Sequence, residues 1–168
     1  MPTTFTIRKY QSGDKEQCRG LWRELTEWHR EIYQDPSIGG AHPEDYFDKH
    51  LAKVGPERLW VAEHNTKVIG LVGLMSGLYD EVEIEPLIIS RAYRGKGVGK
   101  QLIQTVIAEA RRRGLRSLNV SPVARNVGTI EFLYKLGFKN LGYIQLFIDF
   151  TDHEWKQGPE LFGCKFKF

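Results

Sequence analysis

The sequence has little cysteine and no long apolar run. Among its 168 residues only Cys18 and Cys164 are cysteines, which is too few for a disulfide framework, and neither has the spacing of metal ligands. No stretch approaches the roughly 18–20 consecutive apolar residues that a membrane-spanning helix needs. The N-terminal residues lack the cationic and apolar segments of a signal peptide. We therefore expect a cytoplasmic protein with no metal site and no membrane partner.

A strong charge of either sign is also missing. The formal net charge is only +3, and no helix interleaves basic with aromatic residues, so we expect no nucleic-acid partner. Hydrophobic residues make up 41% of the chain and aromatic residues 12%, enough to bury a core. Because the length is typical of one domain, we predict a single domain over 1–168.

Hydrophobic periodicity predicts a chain that mixes strands and helices. Alternation with period two indicates strands, and apolar residues three and four apart indicate helices. The strands are predicted at 4–10, 58–64, 67–79, 81–89, 116–121 and 143–150, with 160–168 able to add another. The helices are predicted at 15–33, 44–54, 100–113 and 126–137.

Single residues refine these elements. Ser12 or Asp14 can cap the first helix, and Asn126 can cap the last one. Pro86 lies inside the strand 81–89. Because proline cannot donate a ladder hydrogen bond, we expect this strand to be bulged or unpaired there. Gly114 is expected to end the third helix.

The segment 93–102, "YRGKGVGKQL", joins an apolar strand to a helix and alternates glycines with basic residues. At such a junction the free N–H groups of the first helical turn bind phosphates, and glycine lets an anion approach the backbone closely. A flexible surface turn is the alternative. Neither common nucleotide motif fits: Lys100 is followed by Gln101 rather than Ser or Thr, and the Rossmann glycine spacing is absent.

The same segment resembles the coenzyme-binding loop of the GNAT superfamily of acetyl-CoA-dependent N-acetyltransferases, (Arg/Gln)-x-x-Gly-x-(Gly/Ala). The segment "NVGTIEFLYKLGFK" at 126–139 resembles the family's later motif, although Gly128 replaces its usual alanine. The resemblance covers about 5–150 and leaves 151–168 as an extension. It implies an α/β (α+β) fold: a mixed, mostly antiparallel central sheet with a splayed strand pair, flanked by about four helices.

The resemblance also implies that acetyl-CoA is the co-substrate. The pantetheine arm would lie in the gap beside the strand that precedes the loop, bonded to strand backbone. Either Arg91 or an arginine between 111 and 116 would meet the 3′-phosphate. The residues expected to bind the coenzyme are Leu87, Ile88, Ile89, Arg94, Gly95, Lys96, Gly97, Val98, Gly99, Lys100 and Asn126.

Three candidate catalytic residues follow from the resemblance. Tyr134 matches a tyrosine that protonates the departing thiolate in many members, although spacing alone fits a core aromatic. Glu83 lies where several members carry a general base, and Glu85 lies on the same strand face. Both glutamates also fit an exposed pair on an antiparallel strand, and some members use no protein base.

The acceptor is expected against the first half of the chain. Carboxylates and aromatic rings there suit a cationic amine, and the candidates are Trp28, Tyr33, Asp35 and Tyr46. His29 and His42 are expected to be surface or structural residues. The predicted function is acetyl transfer to a primary amine of a small molecule or a peptide N-terminus. The alternative is a non-catalytic acyl-CoA-binding or regulatory module, and a homodimer is left open.

Overall fold

The computed structural model describes residues 4–76 and 81–168, which form two compact units, Met1–Ser121 and Pro122–Phe168. Single-domain organisation over 1–168 stays a prediction. Among the described residues, no helix combines the length and apolar character required to cross a bilayer.

The first unit alternates strands and helices in the predicted order. Its helices are α1 (Lys15–Tyr33), α2 (Asp45–Val54) and α3 (Val98–Arg112). Its strands are β1 (Thr6–Lys9), β2 (Leu59–His64), β3 (Lys67–Ser76), β4 (Val82–Ile89) and β5 (Leu118–Asn119). The sequence predicts a longer strand at 67–79, and its last three residues lie outside the described part of the chain.

These strands form one sheet in the order β1-β2-β3-β4-β5, and every pair is antiparallel except the parallel pair β4–β5. Strand β5 is shorter than the predicted strand 116–121, since only Leu118 and Asn119 join the ladder. They pair with Val82 and Glu83, so β4 continues past this short neighbour. The mixed, mostly antiparallel sheet flanked by helices confirms the predicted fold class.

Helices cover both faces of the sheet. Leu71 of β3 belongs to a buried cluster with Leu21 of α1 and Phe47 of α2. The preceding residue of β3, Gly70, faces the other way, and a Cβ atom there would lie 3.1 Å from Val98 Cγ1 of α3. Because successive side chains of a strand point to opposite faces, α1 and α2 lie on one face and α3 on the other.

The start of α1 differs from the predicted cap. Asp14 precedes the helix, but its side chain does not cap the first turn of α1. Its carboxylate accepts hydrogen bonds from the backbone N–H of Gln11 at 2.8 Å and from the Arg8 guanidinium at 2.7 Å. Arg8 also pairs with Glu63 of β2, so an ion pair to the sheet has replaced the expected cap.

The predicted irregularity at Pro86 is confirmed. Val72 of β3 pairs with Leu87, and Leu74 pairs with Ile84, so the register skips Glu85 and Pro86. The peptide bond between those two residues is cis.

The second unit contains α4 (Val127–Lys135) and a hairpin of β6 (Gln157–Leu161) and β7 (Cys164–Lys167). Asn126 caps α4 as predicted, because its side chain accepts a hydrogen bond from Thr129 N. Strand β7 matches the additional strand that 160–168 was able to form.

The strand predicted at 143–150 is wrong. This segment has no regular secondary structure, and its apolar side chains are exposed, including Tyr143 and Phe150. A strand needs a ladder partner, whereas the polar contacts here are local. The Asp149 carboxylate accepts from Thr151 N at 2.9 Å and from Trp155 Nε1 at 2.6 Å, which forms a turn.

Candidate active site

The glycine-rich loop opens directly into α3. Gly95 and Gly97 have left-handed backbone angles, φ 72° and 84°, which glycine adopts at low cost. No described side chain caps the first turn of α3, so its first backbone N–H groups have no side-chain acceptor. A Cβ atom at Gly95 or Gly97 would meet no heavy atom within 4 Å. This open turn at the positive end of a helix suits a phosphate.

The basic side chains of the loop lie on aromatic rings. The Arg94 guanidinium is 4.9 Å from the Trp28 ring centroid, and its Nε donates to the Ile89 carbonyl at 3.2 Å. Burial lowers the pKa of Arg94, with the nearby Arg91 adding to the effect. Lys96 Nζ is 5.0 Å from the Tyr93 ring centroid. Both cations therefore flank the open turn, where they can meet an anion.

Three of the arginines considered for a 3′-phosphate contact are engaged in ion pairs. Arg91 pairs with Glu31 of α1. Arg112 and Arg113 at the end of α3 both bond Glu109, at 2.8 and 2.7 Å, and those bonds lower the pKa of Glu109 to about 2. These contacts do not choose among the candidate arginines.

The edge of β4 is open beside the loop. Beyond Glu83, this strand runs past the two-residue strand β5, and Leu87, Ile88 and Ile89 complete it. An extended chain can bond to such an edge as an added strand. The described residues thus place an open helix N-terminus beside a strand edge, and binding of a coenzyme there stays a prediction.

The two candidate base residues share the sheet face of α1 and α2. Glu83 pairs with Met75, whose side chain packs against the cluster under those helices. Directly paired residues of a ladder point to the same face. The Glu85 side chain is 46% exposed and approaches His50 of α2, with 3.8 Å between Oε1 and Nδ1.

His50 is a candidate that the sequence alone did not single out. It is buried, and its Nε2 lies 2.9 Å from the Glu85 carbonyl oxygen. Burial lowers the pKa of its imidazole, Glu85 opposes that shift, and Lys53 adds to it. The sequence does place a histidine on the inner face of an amphipathic helix, which could have marked it as a candidate. Its partner, however, lies on a strand that is distant in the sequence.

Tyr134 and Asn126 belong to the second unit and stay predictions as site residues. Tyr134 is 56% exposed, and Lys139 Nζ lies 5.3 Å from its ring centroid. An exposed hydroxyl is available to donate, and this exposure argues against the alternative that Tyr134 is a core aromatic.

The residues predicted to meet the acceptor are spread along the α1–α2 region. Trp28 carries the Arg94 guanidinium on its ring. The Asp35 carboxylate accepts from Ser37 N at 2.8 Å and closes the turn after α1. Tyr46 of α2 is exposed. An acceptor role for these residues stays a prediction.

Potential metal ligands do not cluster in residues 4–76 and 81–168, and the buried thiol of Cys18 is protonated. No group of three His, Cys, Asp or Glu side chains there could hold a metal ion. Burial raises the pKa of the Cys18 thiol to about 12, so this sulfur stays protonated at neutral pH.

Comparison with known proteins places the chain among acetyltransferases. Residues 22–138 match the acetyltransferase (GNAT) family. An uncharacterized N-acetyltransferase of Methanocaldococcus jannaschii is 30% identical over 142 residues, covering 81% of this chain and 61% of that protein. N-acetyltransferase 8B of Rattus norvegicus is 29% identical over 89 residues, 49% of this chain and 40% of its own length. The chain therefore spans less than two thirds of either relative.

Solved structures support the same fold. A GNAT-family acetyltransferase of Staphylococcus aureus Mu50 has a TM-score of 0.68 at 15% identity, over 90% of this chain and 94% of its own. N-acetylglutamate synthase of Neisseria gonorrhoeae, complexed with coenzyme A and N-acetyl-glutamate, has a TM-score of 0.63 at 24% identity, over 83% of this chain and 29% of its own. At such identities the likeness concerns the fold alone.

Proposed function

Because the chain belongs to the GNAT family and is an acetyltransferase, we propose that it moves an acetyl group from acetyl-CoA to a primary amine of a small molecule or peptide. The reaction is direct attack of the amine while both substrates are bound. The observation that carries this proposal is the uncapped first turn of α3 behind Gly97, next to the open edge of β4.

The residues of the loop fit the charge and shape of the coenzyme. The N–H groups of Val98, Gly99 and Lys100 bind the pyrophosphate, and the side chains of Arg94 and Lys96 neutralise it. The backbone of 87–89 holds the pantetheine arm, and Asn126 makes a further contact. These assignments rest on the geometry of the loop and the family resemblance together.

The chemistry needs few protein groups once the substrates are held together. Acetyl-CoA supplies the activated thioester: a C–N bond forms, the C–S bond breaks, and the sulfur leaves as a thiolate. Glu83 or Glu85 accepts the proton that the amine nitrogen loses, and Tyr134 donates a hydrogen bond or proton to the thiolate.

The acceptor is a primary amine that enters on the α1–α2 face, where both glutamates lie. Two features of this face favour an amine that arrives as a cation. The carboxylates of Glu83 and Glu85 offer negative charge. The exposed ring of Tyr46 offers a π-face once Lys49, whose Nζ lies 4.8 Å from the ring centroid, moves aside. Trp28 and Tyr33 of α1, with Asp35 in the turn that follows, complete the proposed acceptor side.

A thiol-release assay with acetyl-CoA and a panel of primary amines tests the proposal. We expect amine-dependent thiol release, with one acetylated amine per thiol by mass spectrometry. Binding of acetyl-CoA without release across the panel would instead support a non-catalytic acyl-CoA-binding module. Absence of both binding and release would contradict both functions.

A further inference from the structure

Both ring nitrogens of His50 face Glu85, and one of them is hydrogen-bonded to it. The Nε2 atom lies 2.9 Å from the Glu85 carbonyl oxygen. Because a carbonyl oxygen can only accept, Nε2 carries the hydrogen. In the neutral ring Nδ1 is then an unprotonated acceptor, and it faces the Glu85 carboxylate at 3.8 Å.

The break in the β3–β4 ladder explains the first contact. The register skips Glu85 and Pro86. At this interruption the Glu85 carbonyl is turned so that it accepts a hydrogen bond from His50 of α2. This contact alone would give His50 a purely structural role, and any side chain with a well-placed N–H could take that role.

The second contact requires more than a donor. The surroundings of His50 keep Nδ1 available: the Trp22 ring of α1 packs at 5.1 Å between centroids, Lys53 lies on its own helix, and Glu85 faces it from β4. Burial, the largest effect, lowers the pKa of His50. The ring is therefore neutral at neutral pH and able to accept a proton.

We propose, on the basis of the function proposed above, that His50 positions Glu85 as the general base and holds the amine proton after Glu85 has taken it. The cationic acceptor first releases its ammonium proton to solvent and attacks as a neutral amine. As the C–N bond forms, the remaining proton that the nitrogen loses moves to Glu85 Oε1. It then moves to His50 Nδ1, giving an imidazolium beside a carboxylate. The electron pair of the broken C–S bond leaves with sulfur, and the proton on His50 returns to water after product release.

This arrangement distinguishes Glu85 from Glu83. Both glutamates lie on the same strand face. Within residues 4–76 and 81–168, only Glu85 faces a histidine whose orientation is fixed by the glutamate's own backbone. The separation of 3.8 Å is too long for a hydrogen bond. A small rotation of the half-exposed Glu85 side chain closes it, as catalytic contacts often do when substrate binds.

Kinetics of His50→Gln separate positioning from structure. The glutamine amide can still donate to the Glu85 carbonyl, but it cannot accept a proton. We expect kcat to fall by about ten- to a hundredfold with the KM for acetyl-CoA unchanged. In the parent, charging of His50 at low pH should lower kcat, and this loss should be absent in His50→Gln. His29→Gln is the matched control, because His29 is half-buried on α1 and burial also lowers its pKa; it should keep the parent rate and profile.

Nuclear magnetic resonance of histidine-labelled protein gives a readout that needs neither activity nor a folded His50 variant. In the parent at neutral pH we expect a neutral His50 with its proton on Nε2, and in Glu85→Gln a lower pKa for His50. A proton on Nδ1, a charged ring, or an unchanged pKa in Glu85→Gln would overturn the inference. So would a His50→Gln enzyme with the parent rate and pH profile, although the proposed function would stand. Absence of turnover in the parent would instead remove the function.

Discussion

Gly73 and Glu85 meet at the break in the β3–β4 ladder, where a Cβ atom on Gly73 would overlap the Glu85 carbonyl oxygen and lie 2.7 Å from Leu59 Cδ2. The same carbonyl accepts the hydrogen bond of His50. The absence of a side chain at residue 73 thus lets the two strands and α2 converge on one oxygen atom.

Gly73→Ala is therefore expected to destabilise the protein by about 1–3 kcal/mol, because backbone and a buried leucine must both shift. Urea unfolding measures this change. Gly20→Ala is the control: it lies inside α1 with nothing within 4 Å of an added Cβ atom. That substitution should raise the free energy of unfolding by roughly 0.5–1 kcal/mol. Equal stabilities of the two variants would contradict the strand geometry.

The ion pair of Arg8 with Asp14 predicts a pH dependence of stability. The Arg8 guanidinium donates to the buried Asp14 carboxylate and holds the pKa of that carboxyl below its usual 3.8. Because the folded-state pKa is lowered, the contribution is complete above the unfolded pKa and is lost as pH falls below about 4.

Asp14→Asn should lower the free energy of unfolding at pH 7 by about 1–3 kcal/mol, since a charged hydrogen-bonded partner is lost. It should also flatten the dependence of stability on pH below about 4. Thermal unfolding recorded at a series of pH values from about 2.5 to 7 measures both effects, because this range brackets the pKa of the carboxyl group. The exposed Asp152→Asn serves as control, and an identical response of the two variants would refute the role of the pair.

The sequence could predict features that depend on neighbouring residues, but not those that depend on contacts between distant residues. The loop at 94–97 and the start of α3 were predictable because glycine spacing and helical periodicity act within a few residues. Pro86 was informative for the same reason, since a missing N–H interrupts a ladder wherever the partner strand lies. The family motifs also predicted the order of the strands and helices along the chain.

The contact of His50 with Glu85 was not predictable, because it joins residues 35 positions apart through helix docking and a register shift. The failed strand at 143–150 has the same origin. Its apolar composition favours a strand, but a strand exists only with a ladder partner, and composition does not identify one.

The two glutamates of β4 should respond differently to removal of their charge. Glu85→Gln is expected to lower kcat/KM for the amine more than Glu83→Gln does, because only Glu85 faces the neutral ring of His50. Coenzyme affinity should be nearly unchanged in both, since neither residue lies in the loop. Steady-state kinetics over a pH series measure the difference. A larger loss in Glu83→Gln would move the base to that residue.

Tyr134→Phe should lower kcat by roughly ten- to several-hundredfold, the size of a general-acid contribution. The loss should appear in kcat more than in KM, because the bound thioester needs no proton before the transition state. The half-exposed ring keeps its surroundings, so folding should survive. Tyr143→Phe, at a fully exposed tyrosine of the same unit, is the control. Parent-like turnover of a folded Tyr134→Phe enzyme would end its assignment as the acid.

Calorimetric titration of acetyl-CoA into the parent and into Gly97→Val tests the central claim most directly. The valine side chain would stand in the open space where the pyrophosphate must approach, and it would strain a left-handed backbone. Gly163→Val is the matched control, because Gly163 has a similar left-handed φ and equally open surroundings in the turn between β6 and β7. We predict one bound acetyl-CoA per parent chain, an affinity at least about tenfold weaker in Gly97→Val, and parent affinity in a folded Gly163→Val. No binding to the parent, or unchanged binding to a folded Gly97→Val, would contradict the placement of the coenzyme.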